Sequence, residues 1–261
     1  MDAATALRLQ LEWGADEALA DAPLDRFAAR AGQTPQPDAP KPQPTRPATK
    51  PPALPQLGGP TPAQRAQDIA AAARTVAELR EALAGFDGCA LSTTATNLVF
   101  ADGNPDAGLM FVGEGPGAEE DRAGLPFVGP SGQLLDRMLA SIGLDRTRYL
   151  ITNLIPWRPP GNRNPTDAEV LICLPFLLRH IALVRPRYLV LLGAMATRAI
   201  VGGSTGITKM RGKWQRPALP GLTEPLPTLP MLHPAYLLRN PGAKRDAWSD
   251  LLLLRRTLDG G

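Results

Sequence analysis

A three-layer α/β/α sandwich with a mostly parallel central sheet is the fold class that this sequence predicts, on three observations. Short β-rich runs at Leu109–Val112, Tyr149–Ile155, Tyr188–Leu192 and Leu229–Leu232 alternate with helical stretches at Gly132–Ile142, Thr166–Val184, Met195–Val201 and Lys244–Leu258. Such alternation argues for a parallel sheet covered on both faces. Thr166-Asp167-Ala168-Glu169 is a capping-box start for its helix. Finally, Gly113-Glu114-Gly115-Pro116-Gly117 follows the apolar run Leu109–Val112 directly, at the strand C-terminus where open α/β sheets keep their ligand crevice.

Taken in order, residues 1–30 read as a short helical segment, because Leu7, Leu11, Trp13, Ala15, Ala18 and Leu19 fall near helical spacing before Pro23. Such a helix either docks on its own core or serves a protein partner. Residues 31–62 read as a linker: eleven prolines lie between Pro35 and Pro62, a composition that favours extended conformations and buries little apolar area. Pro62 to Leu83 is Ala-rich, with Ile69, Val76, Leu79 and Leu83 on one side, and predicts a helix leading into a domain over 63–261.

Composition narrows the function classes. With 261 residues and 44% apolar content the chain can bury one core of domain size. No apolar run approaches the roughly 18 residues of a membrane span, and the N-terminus lacks a signal pattern, so a cytoplasmic, nucleoid-associated monomer away from membranes is expected. Two cysteines, Cys89 and Cys173, make no disulfide framework and do not fill a zinc site. Net charge is +3, but residues 1–84 hold nine Lys/Arg against ten Asp/Glu, which leaves nineteen against fifteen in 85–261. A mildly basic domain permits nucleic-acid contact.

The loops select the chemistry. Gly113-x-Gly115-x-x-Ala118 nominally fits a dinucleotide fingerprint, yet Pro116 interrupts the loop and the acid at the right distance, Asp136, sits inside a helical stretch. A P-loop is excluded because no Gly-Lys-Ser/Thr follows. The other strand ends carry Asn153, whose amide offers a donor and an acceptor to the edge of a base, and His233, one of two histidines. With Phe127 they supply a stacking face, an edge reader and a polariser, the parts that a pocket for a flipped base needs.

Four motifs then carry a family resemblance: Gly113-Glu114-Gly115-Pro116-Gly117-Ala118-Glu119-Glu120-Asp121, Gly124-Leu125-Pro126-Phe127-Val128-Gly129, Arg158-Pro159-Pro160-Gly161-Asn162-Arg163 and His233-Pro234-Ala235-Tyr236-Leu237-Leu238-Arg239. Over about Gly88 to Leu254 the chain resembles the uracil-DNA glycosylase superfamily, in particular its family-4 branch. The resemblance implies an α/β/α sandwich that hydrolyses the N-glycosidic bond of uracil in DNA and leaves an abasic site. Family-4 enzymes hold an iron–sulfur cluster on four cysteines. The matching positions here hold Phe86, Cys89, Trp157 and Cys173. Since a four-iron cluster needs four thiolates or close substitutes, a cluster-free variant with no cofactor is expected, its two aromatics filling the vacated volume.

The resemblance also implies roles. His233 would donate to O2 of the leaving uracil. Glu114 would orient the attacking water, with Glu120 as a second catalytic candidate. Gly115, Phe127 and Asn153 would bind the base, Asn153 rejecting cytosine, and Asn153→Asp would relax that selectivity. Leu237 and Leu238 would wedge into the duplex while Ser131, Arg163 and Arg239 contact DNA, with Lys244, Arg211 and Lys213 as further phosphate candidates. No lysine takes a matching strand-end position, so a monofunctional hydrolase is expected and not a Schiff-base lyase. A catalytically silent module that binds uracil-containing or single-stranded DNA is the alternative.

Overall fold

The structure, a computed structural model, describes residues 59–260. The expected N-terminal helical segment and nearly all of the linker lie outside the described residues. Helices α1 (Pro62–Ala72), α2 (Val76–Ala84) and α3 (Leu91–Thr94) precede strands β1 (Ala101–Gly103) and β2 (Leu109–Gly113). Then come α4 (Ala118–Ala123), α5 (Pro130–Ala140), β3 (Leu150–Asn153), α6 (Asp167–Val184), β4 (Tyr188–Leu192), α7 (Ala194–Val201), α8 (Ile207–Met210), β5 (Thr228–Met231), α9 (Pro234–Arg239) and α10 (Lys244–Gly260).

The five strands form one sheet in the order β1-β3-β2-β4-β5. β2, β3, β4 and β5 are parallel and β1 is an antiparallel edge. Alternate strand residues serve opposite layers, as the period of 2 requires. Met110, Val112, Leu189 and Leu191 join the core packed by α1, α2 and α6, whereas Leu109, Phe111, Val190 and Leu192 join that packed by α5 and α10. This is the sandwich expected from the strand and helix alternation.

Two local features differ from the sequence reading. The single helix read over Pro62 to Leu83 is two, because Thr75 caps a fresh start by accepting from the Glu78 N–H at 3.1 Å. The Ala73 carbonyl freed by this break accepts from the Arg179 guanidinium at 2.8 and 2.6 Å. Strand β1 carries no apolar signal, since Ala-Asp-Gly at a sheet edge has little to bury.

Candidate active site

Each parallel strand ends in a loop that faces the same crevice. Pairing of Gly113 with Asn153 in the β2–β3 register sets the Glu114 loop beside the Asn153 side chain, and Leu192 pairs with Met231, which brings Gly193 level with the loop holding His233. A cavity of about 540 Å³ opens there. Glu114, Gly115, Glu120, Phe127, Asn153 and His233 all line it, as do Ser131, Arg163 and Arg239.

Phe127 and Asn153 form the inner wall. Both are buried, and a Cβ on Gly113 would come within 2.4 Å of the Phe127 ring and of Asn153 Oδ1 alike. Only glycine lets ring and amide meet at this point. Phe127 has φ 56°, the left-handed region, which costs a non-glycine residue on the order of 1–3 kcal/mol. Its ring lies 5.7 Å from that of His233, tilted by 31°. Asn153 Oδ1 is buried without a hydrogen-bond partner. An orphaned acceptor in a protein interior is costly, and this residue lines the cavity.

His233 caps α9 through its own ring: the Ala235 N–H donates to Nδ1 at 3.1 Å. With Nδ1 accepting, the neutral ring carries its proton on Nε2. Burial, helped by the Arg239 charge, lowers its pKa to about 4, so the imidazole is neutral at physiological pH. Glu114 Oε1 accepts from the Met195 N–H at 3.0 Å at the start of α7. Burial raises the pKa of this carboxyl, and the Met195 and Ala194 amides and Arg239 moderate the rise.

Glu120 differs from Glu114 in having both oxygens occupied. Oε2 accepts from the Gly117 N–H at 3.0 Å and Oε1 from the Gly129 N–H at 2.7 Å, which ties the glycine-rich loop to the start of α5. Both Glu120 oxygens are therefore taken up by backbone N–H groups of these two loops.

The residues expected to meet DNA are not equivalent. Leu238 is exposed, but Leu237 is fully buried against Leu134, Leu232 and Ala247. Adjacent positions on a helix point apart, so Leu238 alone of the pair is free to wedge. Arg163 is held by Glu169 in a two-pronged pair at 2.6 and 2.9 Å. Arg211 is tied to the buried Asp250 and to Asp246, an anchor between α8 and α10. Arg239 is exposed at the cavity rim, and Ser131 lies in the first turn of α5.

Sequence reasoning missed the Gly193–Met195 backbone that holds Glu114 and the α8 residues Ile207 and Thr208 in the cavity wall. For the first a signal existed, since a strand-Gly-helix passage is a helix N-terminus able to receive a carboxylate. Nothing local marks the second.

The four positions matched to cluster cysteines lie away from the cavity wall. Phe86 and Trp157 are buried in the core with Cys89 and Cys173, and Phe86 packs edge-on to Phe176 at 5.2 Å. The two thiols interact with each other, holding Cys89 down at about 7 and Cys173 up. Rings packed into a core cannot ligate iron, and two free thiols are half the required set. The residues present do not fit a four-iron cluster.

An aromatic ring, an amide with an unpaired oxygen and a neutral imidazole thus meet at the C-terminal edge of a parallel sheet, an arrangement able to receive a planar, hydrogen-bonding ring. The model of the Uracil DNA glycosylase superfamily matches residues 100–252, and the chain belongs to that superfamily. It is 44% identical over 156 residues to a Type-4 uracil-DNA glycosylase of Thermotoga maritima, covering 58% of this chain and 77% of that protein. A Type-4 uracil-DNA glycosylase of Sulfurisphaera tokodaii is 37% identical over 186 residues, 68% of this chain and 82% of that protein. One of Archaeoglobus fulgidus is 40% identical over 166 residues, 62% and 82% respectively.

Proposed function

We propose that this protein is a uracil-DNA glycosylase that excises uracil from DNA by hydrolysis without a metal cluster. The observation that carries the reading is the unpartnered Asn153 Oδ1 beside the Phe127 ring, which suits a base offering an N3–H. The flipped uracil stacks on Phe127 and bonds its N3–H and O4 to the Asn153 amide. Cytosine presents a 4-amino donor to the amide N–H and lacks the N3–H, so it leaves buried groups unpaired.

As the C1′–N1 bond breaks, its electron pair leaves with the base and positive charge grows on the sugar. The His233 Nε2–H donates to O2 of the departing anion, a preorganised interaction that a neutral imidazole provides without giving up its proton. Glu114, held on one oxygen by Met195, uses the other to orient the water whose oxygen bonds to C1′. Leu238 fills the gap left by the flipped nucleotide, and Ser131 and Arg239 engage flanking phosphates. Glu120 supports the site by tying its loops together. The packed Phe86 and Trp157 rings support a chemistry in which no step involves iron.

The test uses EDTA-treated protein and end-labelled oligonucleotides with one uracil, single-stranded or opposite guanine, followed by alkaline cleavage of abasic sites. A product band that His233→Ala abolishes is expected. No band on either substrate, with retained affinity for the oligonucleotide, would favour a silent DNA-binding module instead.

A further inference from the structure

We propose that Arg146, which does not line the cavity, is the positioning residue that sets the angle of the base-stacking ring. This rests on the reading of Phe127 as that ring. A guanidinium has five N–H donors, and at Arg146 all five are used. Nε and one Nη2 hydrogen grip Asp136 at 2.9 and 3.3 Å. One Nη1 hydrogen reaches Asp102 at 3.0 Å. The remaining two go to consecutive backbone carbonyls, Pro126 at 3.3 Å and Phe127 at 2.7 Å.

Those carbonyls belong to the turn that throws Phe127 into its left-handed conformation. A phenylalanine has no side-chain polar group with which to hold such a backbone, so the holding comes from outside. Arg146 supplies it on one side. On the other, Gly132 of α5 lies so close that a Cβ there would meet the Phe127 carbonyl oxygen at 1.8 Å. The Glu120 bond to the Gly129 N–H fixes the far end of the same turn. Arg146 is itself immobilised, since Tyr149 donates to Asp136 at 3.1 Å and the guanidinium carbon stands 5.9 Å from the Tyr149 ring centre. Its planar fork is the element that a lysine cannot reproduce.

The experiment compares the full chain with Arg146→Lys, alone and in a Phe127→Leu background, by steady-state kinetics on a uracil oligonucleotide and by inhibition with free uracil. Fluorine NMR of protein labelled with 4-fluorophenylalanine reads the ring directly, the Phe127 signal being assigned from Phe127→Leu. Arg146→Lys is expected to weaken free-uracil inhibition on the order of tenfold, the size of a lost charge-assisted hydrogen bond, to lower kcat, and to move the Phe127 resonance. With Phe127→Leu the same change should cost less than about twofold, because two residues that act as a unit do not add. An undiminished loss in that background, or an unmoved Phe127 signal, overturns the proposal. Should Arg146→Lys fail to fold, Asp136→Asn loosens the same fork and carries the same expectations. If the unmodified protein neither releases nor binds uracil, the functional reading falls, and the Phe127 resonance in Arg146→Lys still decides the positioning role.

Discussion

The cavity at the strand ends and the aromatic cluster around Cys89 and Cys173 are built on opposite terms. In the cavity, Asn153 Oδ1 lacks a partner, Phe127 sits in a left-handed conformation, and His233 and Glu114 have pKa values displaced by burial. In the cluster, Phe86, Trp157, Phe176 and the two free thiols fill a core. In the cavity the unpaired and strained groups converge on one open space, whereas the packed core carries its own displaced groups, the two thiols and His180, with no such space between them.

The largest expected effect falls on the cluster. Phe86 is 3% exposed, and Phe86→Ala should destabilise the fold by about 3–5 kcal/mol through lost burial and the cavity left behind, as read by urea denaturation. The excision rate of the protein that remains folded should stay near that of the parent. If the rate collapses while stability holds, the cluster belongs to the site and the contrast fails.

His233→Ala should do the reverse. Excision in single-turnover assays should fall by about 10³-fold, on the scale of a lost oxyanion-type donor, while stability should fall only by about 1 kcal/mol, the cost of losing the α9 cap. Equal losses in both measurements would place His233 with the core residues.

The contrast also explains what the sequence could tell. The four parallel strands and the helices between them were legible because each strand feeds two apolar layers. Glu114, Phe127, Asn153 and His233 were legible because each directly follows or ends an apolar run or sits in a recognisable motif. Arg146 and the inward turn of Leu237 were not. Arg146 lies in a short 3₁₀ turn with no periodic signal, and its partners are 10 to 44 residues away. The burial of Leu237 depends on how a six-residue helix seats on Leu134 and Ala247, which pattern alone does not fix.

A third effect concerns the second histidine, which lies outside the cavity wall. His180 is stacked on Phe100 at 4.7 Å, its Nε2 is unpartnered, and burial lowers its pKa to about 4 from an ordinary 6.5. Between pH 6.5 and 4 the unfolded chain takes up a proton that the folded chain refuses, so stability falls as pH drops through that window, by about 3 kcal/mol in full. A cavity of about 20 Å³ adjoins the ring. His180→Phe should therefore flatten the pH dependence of the urea midpoint by one proton and leave excision at pH 7 unchanged. An unaltered slope would mean that His180 is protonated in the fold.

The smallest effect tests the division between neighbours on α9. Leu238 is 44% exposed beside the cavity mouth, whereas Leu237 is completely buried. A wedge matters only where a partner strand leaves a gap to be filled, so Leu238→Ala should slow excision from duplex DNA by about tenfold, a modest fraction of the burial energy of a leucine. Its rate on single-stranded substrate should not change, because no vacated stack exists there. Leu237→Ala should show the opposite pattern, with a lower urea midpoint and an unchanged ratio of duplex to single-strand rates. If both substitutions shift that ratio equally, helix α9 opens when DNA binds and the inward seating of Leu237 is specific to the free protein.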